Sequence, residues 1–262
     1  MLHELAPRWA GRGDMLTLTA GRYAARQDQS SADIRAAQSL RHRCFRGRDG
    51  LDADRFDDGC WHLLVEDRAT GALVACCRVQ SFENGARIDD SYAAQFYDLS
   101  ALAHYDAPMV EIGRFCISSE ARDKSDILRL AWAMLTQQVE AEGVGMLFGC
   151  SSFPGTDATR YREVFAFLRA HHLSPGTWRP RIKTPDAIRF APGSGRAPDA
   201  RQALRVMPPL LRSYLAMGGW VSDHAVVDHD LNTLHVFTGL EVFAVPPARL
   251  RLLRALSAHA VC

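Results

Sequence analysis

The chain has 262 residues, 47% hydrophobic and 23% charged, with a formal net charge of +1. These values sit near globular averages and exclude a disordered or fibrous chain, while the length allows one or two domains of about 150 residues. So even a balance argues against a general nucleic-acid binder, although basic residues can still gather locally. Seven cysteines form an odd set without a C-x-x-C pair, which predicts reduced buried thiols rather than disulfides or a structural zinc site. Residues 1–14 lack the apolar run of a signal peptide, and no stretch approaches the roughly 20 apolar residues of a membrane span. A cytoplasmic location is expected.

Residues 15–27 alternate weakly and predict a first strand. Ser30 or Ser31, followed by Asp33, signals a helix start, and residues 32–45 carry Ile34, Ala37, Leu40 and Cys44 on one stripe. Segments 61–68 and 72–82 are apolar with a period of two. Joined by Ala69-Thr70-Gly71, they predict an antiparallel hairpin in which Cys76 and Cys77 point to opposite faces. Residues 86–107 have no clean period and read as loop and short helix. A long strand over 108–119 is followed by a helix from Ser125, its expected N-cap, to Gly143. Ile127, Leu130, Ala131, Met134 and Leu135 mark the buried face of that helix.

A buried strand is expected over 144–152, then a helix striped by Tyr161, Val164, Phe165 and Leu168. Residues 160–212 hold eleven Lys or Arg against three acids, so the remainder of the chain is acidic. A helix over 208–219, strands over 221–227 and 233–245, and a basic helix through Leu250, Leu253 and Leu256 complete the order. The order predicts an α/β fold with a mixed, mostly antiparallel sheet flanked by helices. It reads as one domain over 15–262, with a core over 15–175 and a basic loop and C-terminal extension over 176–262. No G-x-G-x-x-G follows the first strand and no phosphate loop appears, which removes the main support for nucleotide-dependent chemistry.

Glu111 and Arg114 interrupt an otherwise apolar strand, where unpaired charge is costly. A bulge at Gly113 would bring both side chains to one face. There they would either line a cleft, Glu111 as proton acceptor, or form a structural ion pair. Asp54, Asp57 and Asp58 could bind a cationic amine or simply form a solvated turn. Asp223-His224 and Asp228-His229-Asp230 resemble an acid/base or metal cluster. Strand alternation, however, places Asp223 and His224 on opposite faces, so a histidine that orients or fills near the site fits better than a metal. Cys150-Ser151-Ser152 has nucleophile types without an assigned base, and no G-x-S-x-G elbow exists. The basic run Arg160, Arg162, Arg169, Arg179, Arg181 and Lys183 reads as a docking surface for an anionic partner. With only Trp178 interleaved, it does not suit single-stranded nucleic acid.

The stretches AQSLRHRCF (37–45), DADRFDDGCWHLLVED (52–67), EIGRFCISSEARD (111–123), LFGCSSFPGTD (147–157), WRPR (178–181) and GGWVSDHAVVDHDLNT (218–233) together resemble the bacterial ornithine N-acyltransferases. The likeness runs from about residue 15 to 250. It implies a fold similar to the Gcn5-type N-acetyltransferases and formation of lyso-ornithine lipid from L-ornithine and a 3-hydroxyacyl group on acyl carrier protein. The site layout is also similar to that of acyl-homoserine lactone synthases. On that pattern Arg41, Phe45, Asp54, Asp57 and Arg78 become substrate-binding positions, with His224 beside them and Glu111 and Arg114 catalytic. Gly113 and Phe115 would offer backbone donors to an oxyanion, and Arg78 or Arg114 would take a substrate carboxylate.

The acetyltransferases' glycine-rich pyrophosphate loop is replaced by residues 122–127, Arg-Asp-Lys-Ser-Asp-Ile, so the backbone cannot closely approach a diphosphate. The expected donor is therefore the phosphopantetheine thioester of acyl carrier protein, with no bound cofactor. Arg122 and Lys124 join the basic run as its dock, and peripheral contact with the inner membrane is compatible with the sequence. Competing readings are a homoserine lactone synthase, a small-amine N-acetyltransferase using acyl-coenzyme A, and a non-catalytic acyl-carrier-binding protein.

Overall fold

The structure, a computed structural model, describes residues 17–192 and 197–259, with side chains through 255. The signal-peptide expectation for residues 1–14 lies outside the described residues, as do Met15, Leu16 and the side chain of Leu256. In chain order, β1 (Thr17–Ala20) and β2 (Tyr23–Asp28) precede α1 (Ser31–Arg46), β3 (Trp61–Asp67) and β4 (Ala72–Phe82). Next come β5 (Tyr97–Asp98), β6 (Met109–Ile117), α2 (Lys124–Ala141), β7 (Met146–Pro154) and α3 (Arg162–His171). β8 (Arg181–Ile182), β9 (Ala187–Arg189), α4 (Ala200–Val206) and α5 (Pro209–Ala216) follow. β10 (Trp220–Val221), β11 (His224–Asp228), β12 (Thr233–Glu241) and α6 (Pro247–His259) end the order.

Two compact units result. The first takes described residues from 1–81, 110–144 and 247–262, the second from 82–109 and 145–246. Neither is continuous in sequence, and neither follows a division after residue 175.

In the first unit the strands run β1-β2-β3-β4-β6, with antiparallel ladders from β1 through β4. The single strand predicted over 15–27 is instead a hairpin. Gly21 turns it at φ 56, a conformation open to glycine. Helix α1 starts where the sequence signals it: the Ser30 hydroxyl accepts from the Asp33 amide at 3.2 Å, and Gly47 closes the helix in the left-handed region. Ala37 and Leu40 pack with Leu64, Cys76 and Cys116 in the core beneath it, while Cys44 and Phe45 are partly buried. The fully buried Arg41 shares that helical stripe, a residue that hydrophobic periodicity would not place there.

Helix α2 buries the five predicted residues but begins two residues early. Its N-cap is Asp123, not Ser125, held at φ 49 with no side-chain cap bond. The Tyr23 hydroxyl instead fixes the approach, donating to the Arg122 carbonyl at 2.6 Å.

In the second unit β7 and β12 pair antiparallel over nine residues, followed outward by β11 and β9, with β10 also on β12. β5 and β8 form a separate small ladder. One core gathers Phe82, Tyr97, Met109, Phe148, Trp220 and Phe237, and a second gathers Phe153, Phe165, Phe190 and Leu211. The segment 86–107, left without periodicity in the sequence, is three short 3-10 turns around β5. It closes on the buried Gly85, whose amide donates to the Tyr105 carbonyl at 2.7 Å.

A Cβ at Gly85 would lie 1.8 Å from the Leu102 carbonyl oxygen, which is backbone and cannot step aside. Gly85→Ala is expected to destabilise the protein by about 2 kcal/mol or more. Gly176→Ala, where a Cβ meets nothing within 4 Å, should change stability by less than about 0.5 kcal/mol. Urea unfolding of the two variants checks the contrast; equal midpoints would refute it.

Candidate active site

Five predicted residues of the first unit, Arg41, Asp54, Asp57, Arg78 and Arg114, join Asp52 in a closed ring of three arginines and three aspartates. Arg41 donates to both Asp57 oxygens at 2.9 and 2.8 Å, and its Nε lies 3.1 Å from Asp52 Oδ2. Arg114 reaches the same Asp52 oxygen at 3.0 Å and Asp54 Oδ2 at 3.2 Å. Arg78 closes the circuit, donating to Asp54 Oδ1 and, at 3.0 Å, to Asp57 Oδ1. Each charge therefore has an opposite charge on both sides, the compensation that buried ions require.

Different elements set this up: Arg41 comes from α1, the aspartates from the 52–57 turn, Arg78 from β4 and Arg114 from β6. Asp57 also accepts from Gln38 at 2.9 Å. Burial pushes its pKa upward, yet the Arg41 hydrogen bonds win and hold it well below the usual carboxylate range. Both Asp57 oxygens are thus taken up by Arg41, Gln38 and Arg78, which pairs Asp57 with Arg41 in the ring. Asp54, with a quarter of its side chain exposed, is the open member. The substrate-carboxylate role expected of Arg78 or Arg114 likewise meets guanidiniums already engaged by aspartates.

Glu111 is buried in β6. The backbone irregularity expected at Gly113 falls one residue later: Arg114 itself occupies the left-handed region at φ 53. That turn of the chain replaces simple alternation and lets Arg114 reach the 52–57 turn. Phe45 packs at the edge of the α1 core.

Sequence reasoning missed two members. Asp52 is the link between Arg41 and Arg114. His62, cross-strand from Arg78, is fully buried; burial and the nearby Arg41 charge push its pKa down to about 4, leaving a neutral imidazole. The signal for Asp52 was present, since D-x-D-x-x-D puts three carboxylates into one short turn.

Beside α1 in the same unit opens a cleft of about 430 Å³, lined by Arg22, Arg43 and Arg122, by Asp67 and Glu120, and by Thr70, Ser118 and Ser119; Arg22 is paired with Asp67 there. Arg122 and Lys124 are exposed.

In the second unit, Arg160, Arg162, Arg169, Arg179, Arg181 and Lys183 are all exposed, although Lys183 also donates to the Ala94 carbonyl at 2.6 Å. His224 is fully buried there. Asp223 precedes β11 rather than alternating within it, and its carboxylate meets His224 Nδ1 at 2.7 Å, which overturns the opposite-face expectation. Among the described residues no group of three or more His, Cys, Asp or Glu could hold a metal. The described cysteines are free thiols, and no described helix is long and apolar enough to cross a membrane.

Residues 39–133 match the acetyltransferase (GNAT) domain family. The chain is 32% identical over 239 residues to an L-ornithine N(alpha)-acyltransferase of Rhodobacter capsulatus, covering 85% of this chain and 91% of that protein. It is 30% identical to one from Brucella abortus, over 89% and 90% of the two chains. Among solved structures, an N-acyl amino acid synthase from uncultured soil microbes aligns with a TM-score of 0.46 at 10% identity, over 85% and 93% of the chains.

Asp57→Asn leaves the fully buried Arg41 with Asp52 as its remaining carboxylate in the ring, and should cost about 3–5 kcal/mol in urea unfolding. Asp54→Asn, at the exposed edge, should cost clearly less; equal losses would refute the ring hierarchy. His62 and His235 both have folded pKa values lowered to about 4. A lowered folded value stabilises above the unfolded value of about 6.5 and is lost as pH falls toward 4, up to about 3 kcal/mol for each group. Melting temperature should therefore drop across that window, and a flat profile from pH 7 to 4 would contradict it.

Proposed function

The chain belongs to the L-ornithine N(alpha)-acyltransferase family, and from that premise we propose that it transfers a 3-hydroxyacyl group from acyl carrier protein to the α-amino group of L-ornithine. It is an N-acyltransferase. The observation that carries the site is Glu111, a carboxylate buried in β6 within the unit that assembles the arginine–aspartate ring.

The reaction is aminolysis of a thioester. The amine must lose a proton to attack, and Glu111 takes it, directly or through a water. Nitrogen bonds to the acyl carbon, the tetrahedral oxyanion is met by backbone donors at Gly113 and Phe115, and the carbon–sulfur bond then breaks. The pantetheine thiolate leaves and is reprotonated. No enzyme residue needs to be acylated. Asp54, the open carboxylate of the ring, receives the side-chain ammonium of ornithine.

The absence of glycine from residues 122–127 favours a carrier-protein donor over coenzyme A, and Arg43 and Arg122, with Thr70, Ser118 and Ser119 in the same cleft, offer donors to the single phosphate of a pantetheine arm. The exposed arginines from Arg160 to Arg181 provide a surface for the acidic carrier. Contact with the inner membrane at the cytoplasmic face is part of the same reading, since the product is a lipid.

The test expresses the chain in a host lacking ornithine lipids and follows lipid masses, then assays purified enzyme with hydroxyacyl carrier protein and ornithine. An N-(3-hydroxyacyl)ornithine mass is expected. Glu111→Gln should lower kcat about 100-fold or more, while charge reversal at Arg160, Arg162 and Arg169 should raise KM for the carrier. No new lipid from soluble protein would overturn the substrate assignment, and normal turnover of Glu111→Gln would remove it as base.

A further inference from the structure

Tyr23 ties together two parts of the first unit that lie 99 residues apart in the chain. Its side chain is buried, and both Tyr23 and Arg122 line the cleft beside α1. The phenol stands on a fixed base. Tyr23 opens β2 and pairs across the sheet with Ala20 on one side and Asp67 on the other. Arg22, the residue before it, donates from Nε to Asp67 at 2.7 Å. Backbone held on both sides presents the hydroxyl at one place, where it donates to the Arg122 carbonyl at 2.6 Å.

The turn it holds is a strained one. Asp123 sits at φ 49 and ψ 46, in the left-handed region, with no side-chain cap bond of its own. A non-glycine residue stays there only when its surroundings fix it. The peptide that carries the Arg122 carbonyl is planar, so rotation about the N–Cα bond of Asp123 swings that carbonyl as a unit. Holding the carbonyl therefore holds φ of Asp123. On the far side of the same residue, the Asp123 carbonyl accepts from the Asp126 amide at 2.8 Å and the Ile127 amide at 3.3 Å, which starts α2. Without the phenol bond, Asp123 can relax to an ordinary negative φ and carry Arg122 away from the cleft wall.

The charges of the cleft make that position matter. Arg22 is occupied by Asp67, and Arg43 donates to the Ser39 hydroxyl at 2.9 Å and lies 3.9 Å from Asp49. Arg122 makes no ion pair among the described residues, so an anion entering the cleft depends on it more than on the other two. We infer that the Tyr23 hydroxyl is a positioning group for acyl-donor binding: by holding the 122–123 peptide it keeps Arg122 at the cleft wall, in place to meet the donor's phosphate. This rests on the acyl-transfer reading above and adds to it a residue that acts through Arg122.

Steady-state kinetics with 3-hydroxyacyl carrier protein and ornithine test it. Tyr23→Phe keeps the ring and deletes only the hydroxyl. It should raise KM for the carrier about fivefold or more, while kcat and KM for ornithine stay within about twofold. Glycine enters the left-handed region without steric cost. In an Asp123→Gly background the same deletion should therefore change the carrier KM by less than about twofold. Comparing the deletion in both backgrounds cancels the charge that Asp123→Gly removes. Arg122→Ala does not depend on the folding of a phenol variant, and it too should raise the carrier KM about fivefold or more. A carrier KM unchanged in Tyr23→Phe or in Arg122→Ala overturns the inference. So does an equal effect of Tyr23→Phe in both backgrounds, which marks a hydroxyl that only supports packing. Failure of the wild type to acylate ornithine from the carrier would instead bring down the acyl-transfer reading on which the inference rests.

Discussion

A guanidinium with no exposed surface must be neutralised where it stands, and Arg41 is such a group. It projects from the apolar stripe of α1, among residues that would otherwise form an ordinary helix–sheet core. Desolvating it without partners would cost several kcal/mol, a large part of a domain's net stability. The 52–57 turn therefore has to fold back against α1, bringing Asp52 and Asp57 to the guanidinium. Once there, those aspartates reach Arg78 and Arg114 and tie α1 to β4 and β6. The hydrogen bond from the Asp52 amide to the Gln38 carbonyl, at 3.1 Å, holds the turn to the same helix.

The polar arrangement and the hydrophobic core thus constrain each other. Leu40 packs one residue away from Arg41, so the apolar contact fixes the helix rotation that aims the guanidinium. On β6, Arg114 enters the left-handed region at a non-glycine residue, a conformation that costs free energy and persists only when contacts over-determine it. Its two aspartates supply those contacts. Glu111 lies three residues earlier on the same strand, so the placement of a candidate base and the closure of the ring depend on one stretch of backbone.

Much of the frame could be read from residue order because local chemistry specified it. Ser30 with Asp33, Gly47, the period-two runs around Ala69-Thr70-Gly71 and the stripe from Ile127 to Leu135 each act over a few residues. The failures have physical reasons too. A strand pattern over 15–27 does not reveal that Gly21 reverses the chain, because the residues on both sides remain strand-like. Ser125 is a good capping residue, but Tyr23, distant in sequence, holds the Arg122 carbonyl and starts α2 earlier. At the site, residue types were legible and pairings were not. Glu111, Arg114, Asp54 and Asp57 stood out as charges in unexpected places. Which aspartate stays open depends on distances that only the folded chain supplies, and His62 looked like one more strand residue.

The ring also governs how these positions can change over time. Six charges that alternate around a closed circuit cancel, and removing any one leaves a neighbour with an odd charge in a dry place. Single substitutions at Arg41, Asp52 or Asp57 should therefore be poorly tolerated even when the new residue has a suitable shape. A joint replacement of cation and anion by apolar groups of similar volume avoids that orphaned charge. The route between such states passes through unstable intermediates, so the six sites behave as one inherited character rather than six.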